Sequence, residues 1–238
     1  MTIKEKQTVG LTFYTRFDIR NQTLGRNFLS LIFEIGKDYS PSKIDFGKQW
    51  RSVEENNMGP ILALWENSDN MLFRREYQYE SELAILLGKT TDGYSIMTYW
   101  VDETYFDEEM HIQNFISLAI QLYNLIHPDY GWIHQTQDEI SMATIQHPIY
   151  GPTIIPVNLA KGFPNIYWGN IFGPENVDSI GRDRLLSAPC YEILELSDGG
   201  ILIRTSASPL YPNRDRKQQI VLRKYLGESF FYPTINNL

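Results

Sequence analysis

Tyr191-Glu192-Ile193-Leu194-Glu195-Leu196-Ser197-Asp198-Gly199-Gly200-Ile201-Leu202-Ile203-Arg204-Thr205-Ser206 reads as two strands and the turn between them. Tyr191–Leu196 and Ile201–Ser206 are short apolar-rich runs. Ser197-Asp198-Gly199-Gly200 separates them, and glycine supplies the positive φ that tight hairpin turns require. Working outward, Arg214–Leu226 follows as a helix, with Ile220, Val221, Tyr225 and the stem of Lys217 expected to face inward. On the other side, Asn165–Phe172 reads as a strand and Glu175–Leu186 as a short helix interrupted near Gly181. This half therefore runs strand, helix, strand, strand, helix.

The first half has the same order. Val9, Leu11, Phe13, Thr15 and Phe17 alternate with wetter positions, the pattern of a strand. Asn21 or Thr23 can cap the next helix, whose apolar stripe is Leu24, Phe28, Leu31, Ile32 and Ile35, with Gly36 and Ser40-Pro41 ending it. Ser81–Leu87 and Tyr94–Val101 are strands around an Asp92-Gly93 turn. Asp107–His127 is a helix, with Ile112, Phe115, Ile116, Ala119, Leu122, Tyr123 and Ile126 on one face and Pro128 stopping it. Trp132-Ile133 begins another short strand. Pro41–Met58 is irregular, and Ile61–Trp65 is an apolar run without a clear period. Gln135–Phe163 is punctuated by proline and glycine, with one strand at Thr153–Val157. The expectation is a single α+β domain spanning 1–238, with antiparallel or mixed sheets and helices packed on one face. Two related halves, 1–134 and 150–238, are a further reading.

Composition sets bounds on function. The chain has 238 residues, 42% hydrophobic and 21% charged, enough to bury a full core without metal or disulfide. Its formal net charge of -8 disfavours nucleic acid and anionic membranes and tolerates a basic partner. The single cysteine, Cys190, excludes an internal disulfide and a thiolate metal site, and suits a reducing compartment. Val9–Phe17 is too short and polar for a signal peptide, and no run is long enough to span a bilayer. A cytoplasmic protein is expected.

Catalytic patterns are missing. The four histidines, His111, His127, His134 and His147, form no tight ligand spacing. His134 and His147 can be brought together only by the fold. No nucleophile elbow is present, and Cys190, between Pro189 and Tyr191, suits a small buried thiol. The glycines form no phosphate cradle. No catalytic residue, cofactor or metal is therefore expected. One charge cluster stands out: Asp102, Glu103, Asp107, Glu108 and Glu109. It can be a carboxylate site, a surface for a basic partner, or helix-start electrostatics in a solvated turn; the last requires nothing else of the fold. Arg74-Arg75 and Arg214-Asp215-Arg216-Lys217 are short basic groups in an acidic background.

The stretch Gly162-Phe163-Pro164-Asn165-Ile166-Tyr167-Trp168-Gly169-Asn170-Ile171-Phe172-Gly173-Pro174 is distinctive. With Asp178, Ile180-Gly181, Leu185-Leu186, Ala188-Pro189 and Leu196–Ile203, it resembles the C-terminal half of bacterial polymorphic-toxin immunity proteins. The immunity protein 52 family and related type VI secretion immunity proteins are the nearest. Leu11-Thr12-Phe13-Tyr14, the helix exit at Leu122–Gly131 and Trp132 fall in similar order. The resemblance implies a cytoplasmic inhibitor that binds a cognate toxin domain, often a nuclease with a basic groove. It implies structural roles for the shared Tyr167, Trp168, Gly173, Pro174, Asp198, Gly199 and Gly200. Partner contacts are then expected elsewhere, with Asp102, Glu103, Asp107, Glu108 and Glu109 the leading candidates. The alternatives are an enzyme whose carboxylates and histidines the fold assembles, or a defence-associated binding module.

Overall fold

A computed structural model describes residues 7–35, 37–45, 49–53, 58–136, 144–147, 151–154, 157–210 and 212–232; of 137–156 and 211–215 only the backbone within elements is described. The strands are β1 (Thr8–Thr15), β2 (Lys43–Asp45), β3 (Trp50–Ser52), β4 (Asn70–Arg75), β5 (Ser81–Leu86), β6 (Ser95–Asp102), β7 (Tyr130–Gln135), β8 (Thr144–His147), β9 (Gly151–Ile154), β10 (Gly169–Phe172), β11 (Glu192–Glu195) and β12 (Ile201–Arg204). The α-helices are α1 (Gln22–Ile35), α2 (Gly59–Asn67), α3 (Glu109–Ile126), α4 (Pro174–Ile180), α5 (Arg182–Leu186) and α6 (Pro212–Leu226). Ten strands form one antiparallel sheet in the order β11-β12-β10-β7-β1-β6-β5-β4-β2-β3, and β8-β9 is a separate hairpin. The α+β class is as the sequence indicates.

The elements follow from local chemistry. Asn21 caps α1 by accepting a hydrogen bond from the Leu24 amide at 2.8 Å. Leu24, Phe28, Leu29 and Ile32 then bury one face of that helix. The helix α3 buries eight apolar residues and ends at His127, whose left-handed φ of 44° lets its amide close on the Tyr123 carbonyl. Gly181, at φ 103°, breaks the expected Glu175–Leu186 helix into α4 and α5.

Alternate residues of the strands enter two cores. Val9, Leu11, Phe13, Leu83, Ile85, Met97 and Tyr99 share one core with the buried residues of α1, α2 and α3. Tyr14, Tyr130, Trp132, Phe172, Ile201 and Ile203 share the other with Val177 and Ile180 of α4, Leu185 of α5, and Leu222 and Leu226 of α6. Each half thus keeps its helices on one face of the sheet, but the two halves use opposite faces. Outward from β7, the first half places β1, β6 and β5, and the second places β10, β12 and β11. Both β1 and β10 run antiparallel to β7, hence parallel to each other. Equal direction, reversed order and exchanged faces describe a two-fold axis lying along β7.

Several elements differ from expectation. Asn165–Phe172 is a strand only from Gly169. The Asn170 side chain accepts from the Tyr167 amide at 2.9 Å and donates to its carbonyl at 2.8 Å, giving that backbone a local alternative to the ladder. The helix expected from Asp107 begins at Glu109; Glu103–Asp107 is a 3-10 turn before it. Ile61–Trp65 lies inside α2, and Pro41–Met58 contains β2 and β3. The strand expected at Thr153–Val157 is β9, ending at Ile154. In α6, Ile220, Val221 and Tyr225 are 46%, 48% and 42% exposed, so they do not face inward, and Lys217 is exposed. The inward face instead carries Gln219, Leu222, Arg223 and Leu226. Arg223 tolerates burial because its guanidinium donates to Asn165 at 3.1 Å, to Glu228 at 2.7 Å and to the Tyr232 carbonyl.

Candidate functional site

The motif residues lie in the core and in its turns. Trp168 is 3% exposed, donates to the Ser206 carbonyl at 3.0 Å, and lies against the buried Arg204 guanidinium at 5.6 Å. Tyr167 is 1% exposed and stacks on Trp132. Gly173 and Pro174 start α4; a Cβ at Gly173 would sit 2.9 Å from the Asp129 carbonyl oxygen. Gly199 takes φ 97° in the hairpin turn. Asp198 accepts the Tyr123 hydroxyl at 2.8 Å, which clamps the hairpin onto α3.

The five acidic residues cluster at one end of the sheet, but not as equals. Asp102 ends β6 and accepts from the Thr104 amide at 3.0 Å, capping the 3-10 turn. Glu103 accepts from Gln135 of β7 at 2.6 Å. Asp107, Glu108 and Glu109 are exposed, and none makes a side-chain hydrogen bond with a described residue. Only Glu109 lies in the first turn of α3, and Glu108 makes no side-chain cap bond, so the helix-start reading covers part of the cluster.

Next to this cluster the sheet leaves a face half-open. Burial alternates strictly along β5 and β6: Ser81, Leu83, Ile85, Ser95, Met97, Tyr99 and Val101 are buried, while Glu82, Ala84, Leu86, Ile96, Thr98 and Trp100 are half-buried. On the same face, the residues contributed by α4, α5 and α6 cluster with β7, β10 and β12, and this core reaches over β1 through Tyr14 to Tyr94 and Ile96. One row of paired residues crosses the open face: Lys43, Arg74, Glu82, Trp100, Gly10 and His134. Gly10 is needed there. A Cβ would stand 2.9 Å from Cδ1 of Trp100, so the missing side chain lets the indole lie across β1 beside His134.

The row opens into a cavity of about 300 Å³ lined by Thr8, Arg74, Arg75, Glu76, Glu80, Ser81, Glu82 and Trp100. Its cations are committed elsewhere. Arg75 donates to the carbonyls of Tyr77 at 3.0 Å and Ser40 at 3.2 Å. Arg74 stacks on Trp50 at 4.4 Å and faces Glu76 at 3.7 Å. Lys43 donates to Glu76 at 2.5 Å, which holds that carboxyl below its ordinary range. Glu82 forms no ion pair with a described residue. The acidic cluster borders this cavity, because Asp102 pairs in register with Thr8 and its amide bonds the Glu80 carbonyl at 2.9 Å. Nothing local in the sequence marks Glu82 or Trp100. Their signal is the apolar outward pair Ala84 and Leu86, unusual for a face left half-open.

The chemistry-bearing groups among the described residues are dispersed. Burial pushes the Cys190 thiol above its ordinary range. Among the described residues no group of three or more His, Cys, Asp or Glu side chains is placed to hold a metal ion. The His147 side chain, and with it the pairing of His134 and His147, lies outside the described residues. No helix among them is long and apolar enough to cross a membrane.

No family model and no curated protein matches the sequence. The fold does have solved counterparts. The Pseudomonas aeruginosa T6SS protein PA0821 superposes with a TM-score of 0.63 at 14% identity, over 96% of this chain and 74% of that one. The likeness is one of fold.

Proposed function

We propose that this chain is an immunity protein, a cytoplasmic inhibitor that binds a cognate toxin domain and blocks it without catalysis or cofactor. The observation that carries the reading is the half-open face of β4, β5 and β6, which ends in an acid-bordered cavity. A half-buried apolar face with a charged border is the anatomy of a protein-binding surface. The resemblance of Gly162–Pro174 to immunity proteins supports it, as does a fold shared with a T6SS protein. A toxin with a basic groove, such as a nuclease, complements the net charge of -8. Asp107, Glu108 and Glu109 steer it in, and the sheet face supplies the contact.

The test pairs the chain with the product of the adjacent upstream gene. Co-expression should restore growth of cells producing that toxin, and the two proteins should co-purify. Asp107→Asn with Glu108→Gln should slow association several-fold at low salt and less at high salt, with thermal stability unchanged. Absence of both growth protection and complex formation overturns the reading. Normal protection with unchanged association kinetics moves the binding surface to another face.

A further inference from the structure

We propose that the cavity beside Trp100 receives the side chain of one arginine from the partner's surface, its guanidinium stacked on the indole and hydrogen-bonded to Glu82. Three features point to this chemistry. Trp100 is a half-buried ring whose Cδ1 and Nε1 lie over Gly10 of β1, held there because Gly10 has no side chain. Tryptophan is the best aromatic platform for a cation, and a planar guanidinium also stacks on it. Glu82 pairs directly with Trp100 across β5 and β6, which sets the two side chains next to each other.

The charge balance selects the same occupant. Among the groups lining the cavity, Glu76 is taken by Lys43 and Arg74, and Arg75 is taken by carbonyls. Glu82 remains without an ion pair among the described residues, although Arg74 lies opposite it in register. Arg74 has turned instead onto Trp50. A carboxylate without an ion pair among the described residues, beside an aromatic face in a site the size of one long side chain, suits an incoming cation with directed N–H donors. The acidic border at Asp102 favours the same sign of charge.

The inference rests on the proposed inhibitor role only for the owner of the arginine; the pocket's preference is tested without any toxin. The full chain is titrated with Nα-acetyl-arginine amide while the indole N–H signal of Trp100 is followed by NMR, assigned by its loss in Trp100→Phe. The expected result is a saturable shift. The neutral isostere Nα-acetyl-citrulline amide should bind about tenfold more weakly or worse, the loss of a charge-assisted interaction. Glu82→Gln should weaken arginine binding to a similar degree while unfolding at the wild-type temperature. A Trp100 signal that does not move, that moves equally with citrulline, or that responds unchanged in Glu82→Gln overturns the proposal. None of these results bears on whether the chain protects cells from the neighbouring gene product, so the two readings fail separately.

Discussion

Replacing Gly200 with alanine sets a methyl group against the clamp between the hairpin and α3. The new Cβ would fall inside the van der Waals radius of the Tyr123 hydroxyl oxygen, 2.8 Å from Cζ and 2.9 Å from the Phe172 carbonyl oxygen. Tyr123 is 1% exposed and cannot swing away, and the Phe172 carbonyl is fixed in the sheet. The hydroxyl must therefore leave Asp198, to whose carboxylate oxygens it donates at 2.8 and 3.0 Å. A hydrogen bond to a charged group is worth about 1.5–3 kcal/mol. The Asp198 side chain is 27% exposed and can rehydrate, which lowers its share to about 1–2 kcal/mol. Overpacking adds about 1–3 kcal/mol. Gly200→Ala should thus cost about 2–5 kcal/mol, and Tyr123→Phe alone about 1–2 kcal/mol. In the Tyr123→Phe background the hydrogen bond is already gone and the hydroxyl overlap is relieved. The alanine should there cost about 1–2 kcal/mol less. Urea unfolding of the four proteins, with m-values held constant, measures this coupling. A coupling below about 0.5 kcal/mol, or a Gly200→Ala protein as stable as wild type, would refute the clamp.

Three further outcomes follow from the geometry. Trp168→Ala should destabilise by about 3–5 kcal/mol in the same unfolding assay, since it empties a core position and uncovers Arg204; loss of partner binding at wild-type stability would make Trp168 a contact residue instead. Gly10→Val should push the Trp100 indole off β1 at a cost of about 1–3 kcal/mol, read as an altered Trp100 indole signal with the core signals kept; an unmoved indole contradicts the packing. Burial raises the phenols of Tyr39, Tyr99, Tyr123 and Tyr130 and pushes Tyr105 up to about 12, above an ordinary value of about 10. The folded state then holds protons that the unfolded state releases, so stability is complete below pH ~10 and falls as pH rises past it. Absorbance at alkaline pH should show these phenols ionising together with unfolding; ionisation in a folded protein near the ordinary value would show them to be accessible.

What was legible in the sequence was local. The Asp198-Gly199-Gly200 turn and the eight-residue apolar face of α3 carry their signals within a few residues. The strand β7 is the centre of the sheet, yet only Trp132-Ile133 suggested a strand. Every residue of β7 is buried, so it lacks the alternation that advertises a half-exposed strand. The strands β2 and β3 are three residues each, too short for a period. The inward face of α6 was misassigned because Gln219 and Arg223 are buried there, which hydropathy does not foresee. The site divides in the same way. The acidic cluster is a run of neighbours and was readable, although hydrogen bonds engage Asp102 and Glu103. Glu82, Trp100 and Gly10 meet through the registers of β5, β6 and β1, which no local pattern encodes.

The two-fold along β7 carries a consequence for how such a surface can arise and change. A rotation that exchanges the sheet's faces makes each half leave without helices of its own the side on which the other half stacks its helices. In the second half, α3 reaches across through Tyr123 and closes part of that side. In the first half that side persists as the half-buried face of β4, β5 and β6. The proposed docking face is therefore a by-product of connectivity, and the residues that build the first core point the other way. Outward positions such as Leu72, Glu82, Ala84 and Trp100 can drift from one descendant to the next and retune what docks there, while the scaffold beneath them stays the same.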